Sequence, residues 1–395
     1  MKIAIIGIDD KESGGSYHQS LKTYKILLGI KEFKFNFIKI NSKKKNSSFD
    51  KNFIHYNINF FDKLFFLFYS SNILKSLLKK FCIKNRFEKL LKKKKIDLII
   101  FLGCSRLCKF CERIDYITYV YEFHHIFRPD LPEYKGWSDF DFREDLLKTN
   151  VKKSVALIVD TKRKAEDLIK YYNCYEKKIN IIPLTPDIAN LDRSNHELSS
   201  EIIKKYTNTS KEYFFYPAQY WSHKNHYYIL NAMQILKKKY KKKVNFVFTG
   251  FKKNNFEYLN KKTKDFDLIN QIKFFEYLKY EEIQILYKNC KALIIPSLIG
   301  YSSLPLYESF YFEKPVFYTK NLLDSSLKRF VTEIDLSDPE SLALEIYNFD
   351  KNIKNINEKV KEGKKYFSRN LSDDKIKFEY LNLLNKINYQ RKIYE

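Results

Sequence analysis

Three stretches of this chain have residue types and spacings suited to chemistry. The first runs from Ala292-Leu-Ile-Ile295 through Pro296-Ser297, Gly300-Tyr301-Ser302-Ser303 and Leu304-Pro305 to Glu308. It reads as a buried strand, a small-residue loop and a helix start, which together make a site for an anionic or sugar-nucleotide ligand. Pro is tolerated in a first helical turn, so Glu308 is expected in that turn, near free backbone N–H groups. On its own, Glu308 reads as no more than a favourable charge at a helix N-terminus, and the whole string around it points to the ligand reading. The second stretch, Pro217-Ala-Gln-Tyr-Trp-Ser-His-Lys-Asn-His226, places Lys224 just before a helix expected from Tyr227 to Lys237. One fixed cation beside a helix N-terminus can hold a diphosphate. The third, Glu122 to Asp130, sets His125 behind a strand ending at Tyr121. A histidine at the C-terminal end of a parallel strand faces the ligand crevice, and it can also serve in structural hydrogen bonds.

Two further patterns compete with ordinary readings. Gly14-Gly15 follows a strand at Lys2 to Ile8 and precedes a helix at Tyr17 to Leu28. That order presents backbone to a phosphate or sugar, or is a plain βα turn, and it is not G-x-G-x-x-G. Cys104, Cys108 and Cys111 have the C-x3-C-x2-C spacing and look like the radical S-adenosylmethionine motif, in which three thiolates hold a four-iron cluster. That motif usually opens a β/α barrel near the front of a chain; the alternative is reduced cysteines in a βα loop.

The elements that must position these residues alternate along the chain. Strands are expected at Phe35–Ile40, Leu98–Leu102, Tyr116–Tyr121, Val155–Val159 and Ile179–Ile182, and again at Tyr213–Tyr216, Phe246–Gly250 and Ala292–Ile295. Helices fall between them, and a last one carries Ile376, Tyr380, Leu383, Leu384 and Ile387 on one side. Such alternation means doubly wound parallel sheets. With 395 residues there is chain for two domains with real cores. The polar, aliphatic-poor stretch Pro186 to Ser210 marks the linker between them.

Hydrophobic content of 44% excludes a disordered chain, and 9 Gly with 9 Pro exclude collagen-like or low-complexity structure. The formal charge of +26 is mostly lysine, in runs such as Lys92–Lys95, Lys237–Lys239 and Lys241–Lys243. Solvated faces, an anionic membrane surface and nucleic acid are three readings of it; nucleic-acid signatures are absent, so no nucleic-acid partner is expected. Between Phe60 and Leu91, Phe61, Leu64, Phe65 and Phe68 precede a basic tract of Lys75, Lys79, Lys80, Lys84, Arg86 and Lys89. This reads either as an amphipathic segment lying in a membrane interface or as a helix with its aromatic face packed inward. Leu64 to Leu74 is shorter than the ~20 residues of a spanning helix. With no secretory signal, the expectation is a cytoplasmic protein, peripheral at most on the inner face of the plasma membrane, with its six cysteines reduced.

The stretch Ala292 to Val316 resembles the signature of the group 1 (family 4) retaining glycosyltransferases of the GT-B fold: strand, Pro-Ser/Thr, Gly-containing loop, Leu/Ile-Pro, then Glu. The resemblance implies two Rossmann-like doubly wound α/β domains facing a cleft. These would be an N-terminal acceptor-side domain (1–190), a linker (191–210), a nucleotide-sugar-binding domain (211–370) and a helix (371–395) crossing back to the first domain. It implies that Glu308 bonds the ribose hydroxyls and Lys224 the diphosphate. Gly300 stands where many members have an earlier glutamate, and Gly300-Tyr301-Ser302-Ser303 is similar to the Gly-Pro-Thr-Asn form of others. Gln219 stands at a usual arginine position, as in members reading much like Pro-Ala-Gln-Phe-Trp-His-Lys-Asn. Leu304, Ser302, Ser303, Gly14 and Gly15 join the implied donor set. His125 aligns with the family histidine that would orient the sugar or stabilise charge, followed by Pro129 and Asp130; Tyr121 replaces an earlier histidine. The implied activity is retaining, metal-independent hexosyl transfer from a nucleotide sugar to a sugar or lipid-linked sugar acceptor, in polysaccharide or glycolipid synthesis, with no cofactor. The iron–sulfur enzyme, and a sugar-nucleotide-binding protein without catalysis (suggested by Gly300 and Gln219), are the alternatives.

Overall fold

The computed structural model describes residues 1–7, 14–41, 53–71, 74, 76–77, 80, 85–103, 105–136, 139–187, 205 and 212–394. Cys104, residues 8–13 ahead of the glycine pair, nearly all of the expected linker 191–210 and much of the basic tract after residue 71 lie outside the described residues.

The chain forms two compact units. The first comprises Met1–Phe123, Ser138–Pro183 and Asp373–Glu395; the second comprises His124–Trp137 and Leu184–Ser372. Each is a doubly wound sheet whose described strand pairs are all parallel.

In the first unit the strands are β1 (Lys2–Ile6), β2 (Lys34–Ile40), β3 (Phe53–Tyr56), β4 (Leu98–Phe101), β5 (Asp115–Tyr119), β6 (Ala156–Val159) and β7 (Ile179–Ile181), in the order 3-2-1-4-5-6-7. The helices between them are α1 (Gly15–Leu28), α2 (Phe60–Ser70), α3 (Arg86–Lys93), α4 (Asp139–Lys153) and α5 (Lys162–Tyr172). The central strand β4 is buried along its length, as expected for a sheet covered on both faces. Capping sets the helix starts. Asn59 and Asp62 form a capping box on α2, and the Thr161 side chain accepts from Lys164 N–H on α5.

The second unit has β8 (Tyr213–Pro217), β9 (Asn245–Thr249), β10 (Ile272–Phe275), β11 (Ala292–Ile295), β12 (Val316–Thr319) and β13 (Thr332–Ile334), in the order 10-9-8-11-12-13. Its helices are α6 (His226–Lys238), α7 (Phe256–Asp265), α8 (Tyr280–Asn289), α9 (Leu304–Tyr311), α10 (Pro339–Tyr347) and α11 (Ile353–Asn370). The last helix, α12 (Asp373–Tyr394), belongs to the first unit. Its Asp373 pairs with buried Lys22 of α1 at 2.7 Å, and Arg391 donates to the Asp97 carbonyl at 2.8 Å.

Among the described residues no helix is long and apolar enough to cross a membrane. The lysine runs are largely solvated: Lys92 to Lys95 are exposed, as are Lys238, Lys239, Lys241 and Lys243.

Candidate functional site

Strand order reverses between β8 and β11 in the second unit, so the crevice at their carboxyl ends is the topological switch point. The loops leaving these two strands are the first two stretches singled out by residue type. They are joined to each other. Leu298 N–H donates to the His223 carbonyl at 2.8 Å. The buried Tyr216 hydroxyl lies 3.2 Å from Ser297 Oγ and donates to the Lys224 carbonyl at 3.2 Å. Thr319 Oγ1 donates to the Ser297 carbonyl at 2.8 Å.

The β8 loop is held from below by a glycine. A Cβ on Gly250 would stand 2.5 Å from the Ala218 carbonyl oxygen and 2.7 Å from Gln219 Cα, backbone that cannot swing aside. Gln219 Oε1 accepts from Trp221 Nε1 at 2.8 Å. Ser222–Lys224 forms one 3-10 turn, and Asn225 takes the left-handed conformation (φ 55°). The Asn225 side chain makes no capping bond to α6, whose first amides follow directly on half-buried Lys224. His226, the first residue of α6, is fully buried between Tyr216, Tyr220 and Phe248. Burial, and then the charge of Lys224, push its imidazole down to about 3, so it adds no positive charge here.

In the β11 loop, Gly300 has φ 107°, a conformation side chains rarely adopt. Its carbonyl accepts from the Tyr318 hydroxyl at 3.0 Å. Tyr301 and Ser302 are buried, and Ser303 caps α9 by accepting from Leu306 N–H at 3.3 Å. That cap corrects the expected place of Glu308. With Leu304 as the first helical residue, Glu308 falls past the first turn, which holds no acidic residue. The free amides expected beside it are therefore not its partners. Instead Tyr287 of α8 donates its hydroxyl to the half-buried carboxylate. Burial pushes that carboxyl up to about 7, and the Tyr287 hydrogen bond pulls the other way.

The remaining residues lie as follows. Gly14 (φ 60°) and Gly15 start α1 in the first unit. His125 is buried in the second unit, its ring 6.1 Å from that of Tyr134. The neighbouring His124 touches the β11 loop, its Nε2 accepting from Gly300 N–H at 3.4 Å. A His-His doublet in sequence does not say which ring faces which way; the 3-10 turn His124–Ile126 decides it. Glu133, overlooked in the sequence, accepts from His223 N–H at 3.1 Å. Cys108 and Cys111 are buried in the apolar core of the first unit. Burial, then the neighbouring Cys108, push the Cys111 thiol well above its ordinary value. Both cysteines serve as core residues, and nothing supports the iron–sulfur alternative.

Two Rossmann-type sheets, one with a polar, cross-linked pair of loops at its switch point, define a two-domain GT-B architecture. Residues 199–323 match the profile of the family described as "Glycosyl transferases group 1". Similar solved structures span the whole chain. Anabaena HepE in complex with UDP-glucose is 12% identical, covering 98% of this chain and 100% of that one, with a TM-score of 0.71. Sucrose-phosphate synthase from Thermosynechococcus elongatus is 12% identical, covering 99% and 100%, with a TM-score of 0.74. A glycosyltransferase from Rickettsia africae is 16% identical, covering 98% and 98%, with a TM-score of 0.68. No curated protein sequence matches the chain.

Proposed function

We propose that this protein transfers a sugar from a nucleoside diphosphate sugar to a hydroxyl of a sugar or lipid-linked sugar, with retention at the anomeric carbon. The observation that carries the reading is the cross-linked pair of switch-point loops, with Lys224 and the start of α6 in one and Gly300 to Ser303 in the other. Lys224 and the α6 amides neutralise the leaving diphosphate as the glycosidic bond breaks and an oxocarbenium-like centre forms. No metal is required in this scheme, since the positive charge comes from the protein. The acceptor attacks from the face the phosphate leaves, with that phosphate as its base. Glu308 accepts from the ribose diol, and His125 orients the sugar. Incubation with uridine and guanosine diphosphate sugars and simple glycoside acceptors tests this by proton NMR of the product anomer. An α-linked donor giving an α-linked product is expected; an inverted product, or donor binding without transfer or hydrolysis, contradicts it.

The α2 helix favours a workplace at an anionic membrane surface, in polysaccharide or glycolipid synthesis on the cytoplasmic side. Its Phe65, Phe66 and Tyr69 pack on Phe110, so the inward half is already used. Phe60, Phe61 and Leu67 remain 73%, 61% and 67% exposed. Lys63 beside them and Lys89 and Lys92 to Lys95 on and after α3 are exposed, giving the basic charge that complements acidic lipid.

A further inference from the structure

The β5–α4 connection leaves the first unit's sequence after Phe123, yet residues 124–137 belong to the second unit. Its two ends meet different switch-point loops. At one end Gly300 N–H donates to His124 Nε2 at 3.4 Å, and the His124 ring stands edge-on to Tyr301 with centroids 4.9 Å apart. At the other end Glu133 Oε1 accepts from His223 N–H at 3.1 Å and lies 3.2 Å from His223 Nδ1. Between the ends, Leu131 and Tyr134 pack on Ile299 and Leu298. The connection is itself stiffly folded. Arg128 N–H donates to the His124 carbonyl at 2.8 Å, Leu131 N–H to the Arg128 carbonyl at 3.1 Å, and Tyr134 N–H to the Leu131 carbonyl at 3.0 Å. Arg128 also holds Asp130 through two bonds of 2.8 and 2.6 Å.

We propose that residues 124–134 act as a strap that positions both donor loops, with Glu133 the positioning residue for the Lys224 loop and His124 for the Gly300 loop. The inference rests on the reading of those loops as the diphosphate site. Glu133 and His223 are both largely shielded from water, with side chains 8% and 16% exposed, so their bond is little screened. His223 directly precedes Lys224, and its carbonyl receives Leu298 N–H from the other loop. A displacement at His223 therefore moves the lysine and loosens the join between loops together. Glu133 touches no donor atom in this account and acts only through His223.

The test measures nucleoside diphosphate affinity, donor KM, acceptor KM and kcat for wild type, Glu133→Ala, Glu133→Gln and Lys224→Ala. Glu133→Ala is expected to weaken nucleotide binding and raise donor KM by about tenfold, the scale of one charge-assisted hydrogen bond, with acceptor KM unchanged. Glu133→Gln is expected to recover most of the loss, because its amide oxygen still accepts from His223 N–H. Should Glu133→Ala fail to fold, His223→Ala removes the ring half of the pair and carries the same test. Affinity lowered by at least about threefold supports the strap, and unchanged affinity overturns it. Equal affinities for the Ala and Gln variants also overturn it. If Lys224→Ala abolishes binding while Glu133→Ala binds like wild type, the strap is wrong and the diphosphate site stands. If wild type binds no nucleoside diphosphate at all, the diphosphate site falls and the strap with it.

Discussion

The two sheets of this protein share a strand order around the switch point but differ in what their loops are made of. In the first unit, the loop after β4 turns inward. Leu107, Cys108, Phe110 and Cys111 are all buried, and Phe110 stacks on Phe66 with centroids 4.3 Å apart. In the second unit the loop after β11 is held by hydroxyls and carbonyls from Tyr216, Ser297, Tyr318 and Thr319. Topology fixes where a ligand crevice forms, and loop composition decides whether the crevice is filled with side chains or kept for a ligand. Cys108 and Cys111 belong to the filled kind.

The comparison is broken most severely at Glu308. Glu308→Gln keeps the size of the side chain but loses the charge and one acceptor, so kcat/KM should fall by about a hundredfold or more. The fold should not suffer. Glu308 has a folded pKa of about 7 against an ordinary 4.5, so its contribution to stability is fully present below 4.5 and is lost as pH rises through 7. Wild-type Tm should therefore drop across that interval, whereas the Gln variant stays flat and is at least as stable at about pH 8. A variant that melts far below wild type at that pH makes Glu308 a structural residue. Ribose hydroxyls donating to the carboxylate would also pull its pKa down. Binding of a nucleotide sugar near neutral pH should then release protons, measurable by calorimetry in buffers of different ionisation enthalpy, and not in the variant.

Lys224→Ala comes next, with nucleoside diphosphate affinity weakened by about 1.5–3 kcal/mol, the worth of a hydrogen bond to a charged group. Affinity equal to wild type removes Lys224 from the site. Gly250→Ala sharpens the comparison without touching a polar group. Its methyl meets the Ala218 carbonyl and Gln219 backbone, so the β8 loop must shift and nucleotide affinity should fall several-fold, by roughly 1 kcal/mol or more. Binding unchanged in that variant means the β8 loop is not part of the site. The smallest effect is expected at α2. Replacing Phe60, Phe61 and Leu67 by Ser should reduce co-sedimentation with acidic vesicles a few-fold, roughly 1 kcal/mol, while Tm holds, because these side chains are already in water. Equal recovery of wild type on neutral and acidic vesicles removes the membrane from the account.

Much of this was legible in the sequence because parallel strands buried on both faces read as unbroken apolar runs. Ala292–Ile295 and Leu98–Phe101 coincide with their expected places to within a residue. The strands that escaped notice are short and mixed, such as Thr332-Glu333-Ile334 at one edge and Ile272-Lys273-Phe274-Phe275 at the other. Helix α8 stops at Asn289, and Ala292 already belongs to β11. In the site, the loop residues were readable from glycine, proline and lysine, which constrain backbone or carry charge. Orientation was not. Ser303 as a cap moved Glu308 one turn on, and only the folded chain shows that His124 meets Gly300. Glu133 and His223 are 90 residues apart, a separation that leaves no local pattern.

Hydrogen exchange of the full chain with and without a saturating nucleoside diphosphate tests the central claim most directly, because it reads both switch-point loops in one experiment. Amides of residues 218–226 and 297–303 should gain protection together, and those of residues 105–111 in the first unit should exchange as before. Protection confined to residues 105–111, or no protection in either second-unit loop from a nucleotide that demonstrably binds, would contradict the account.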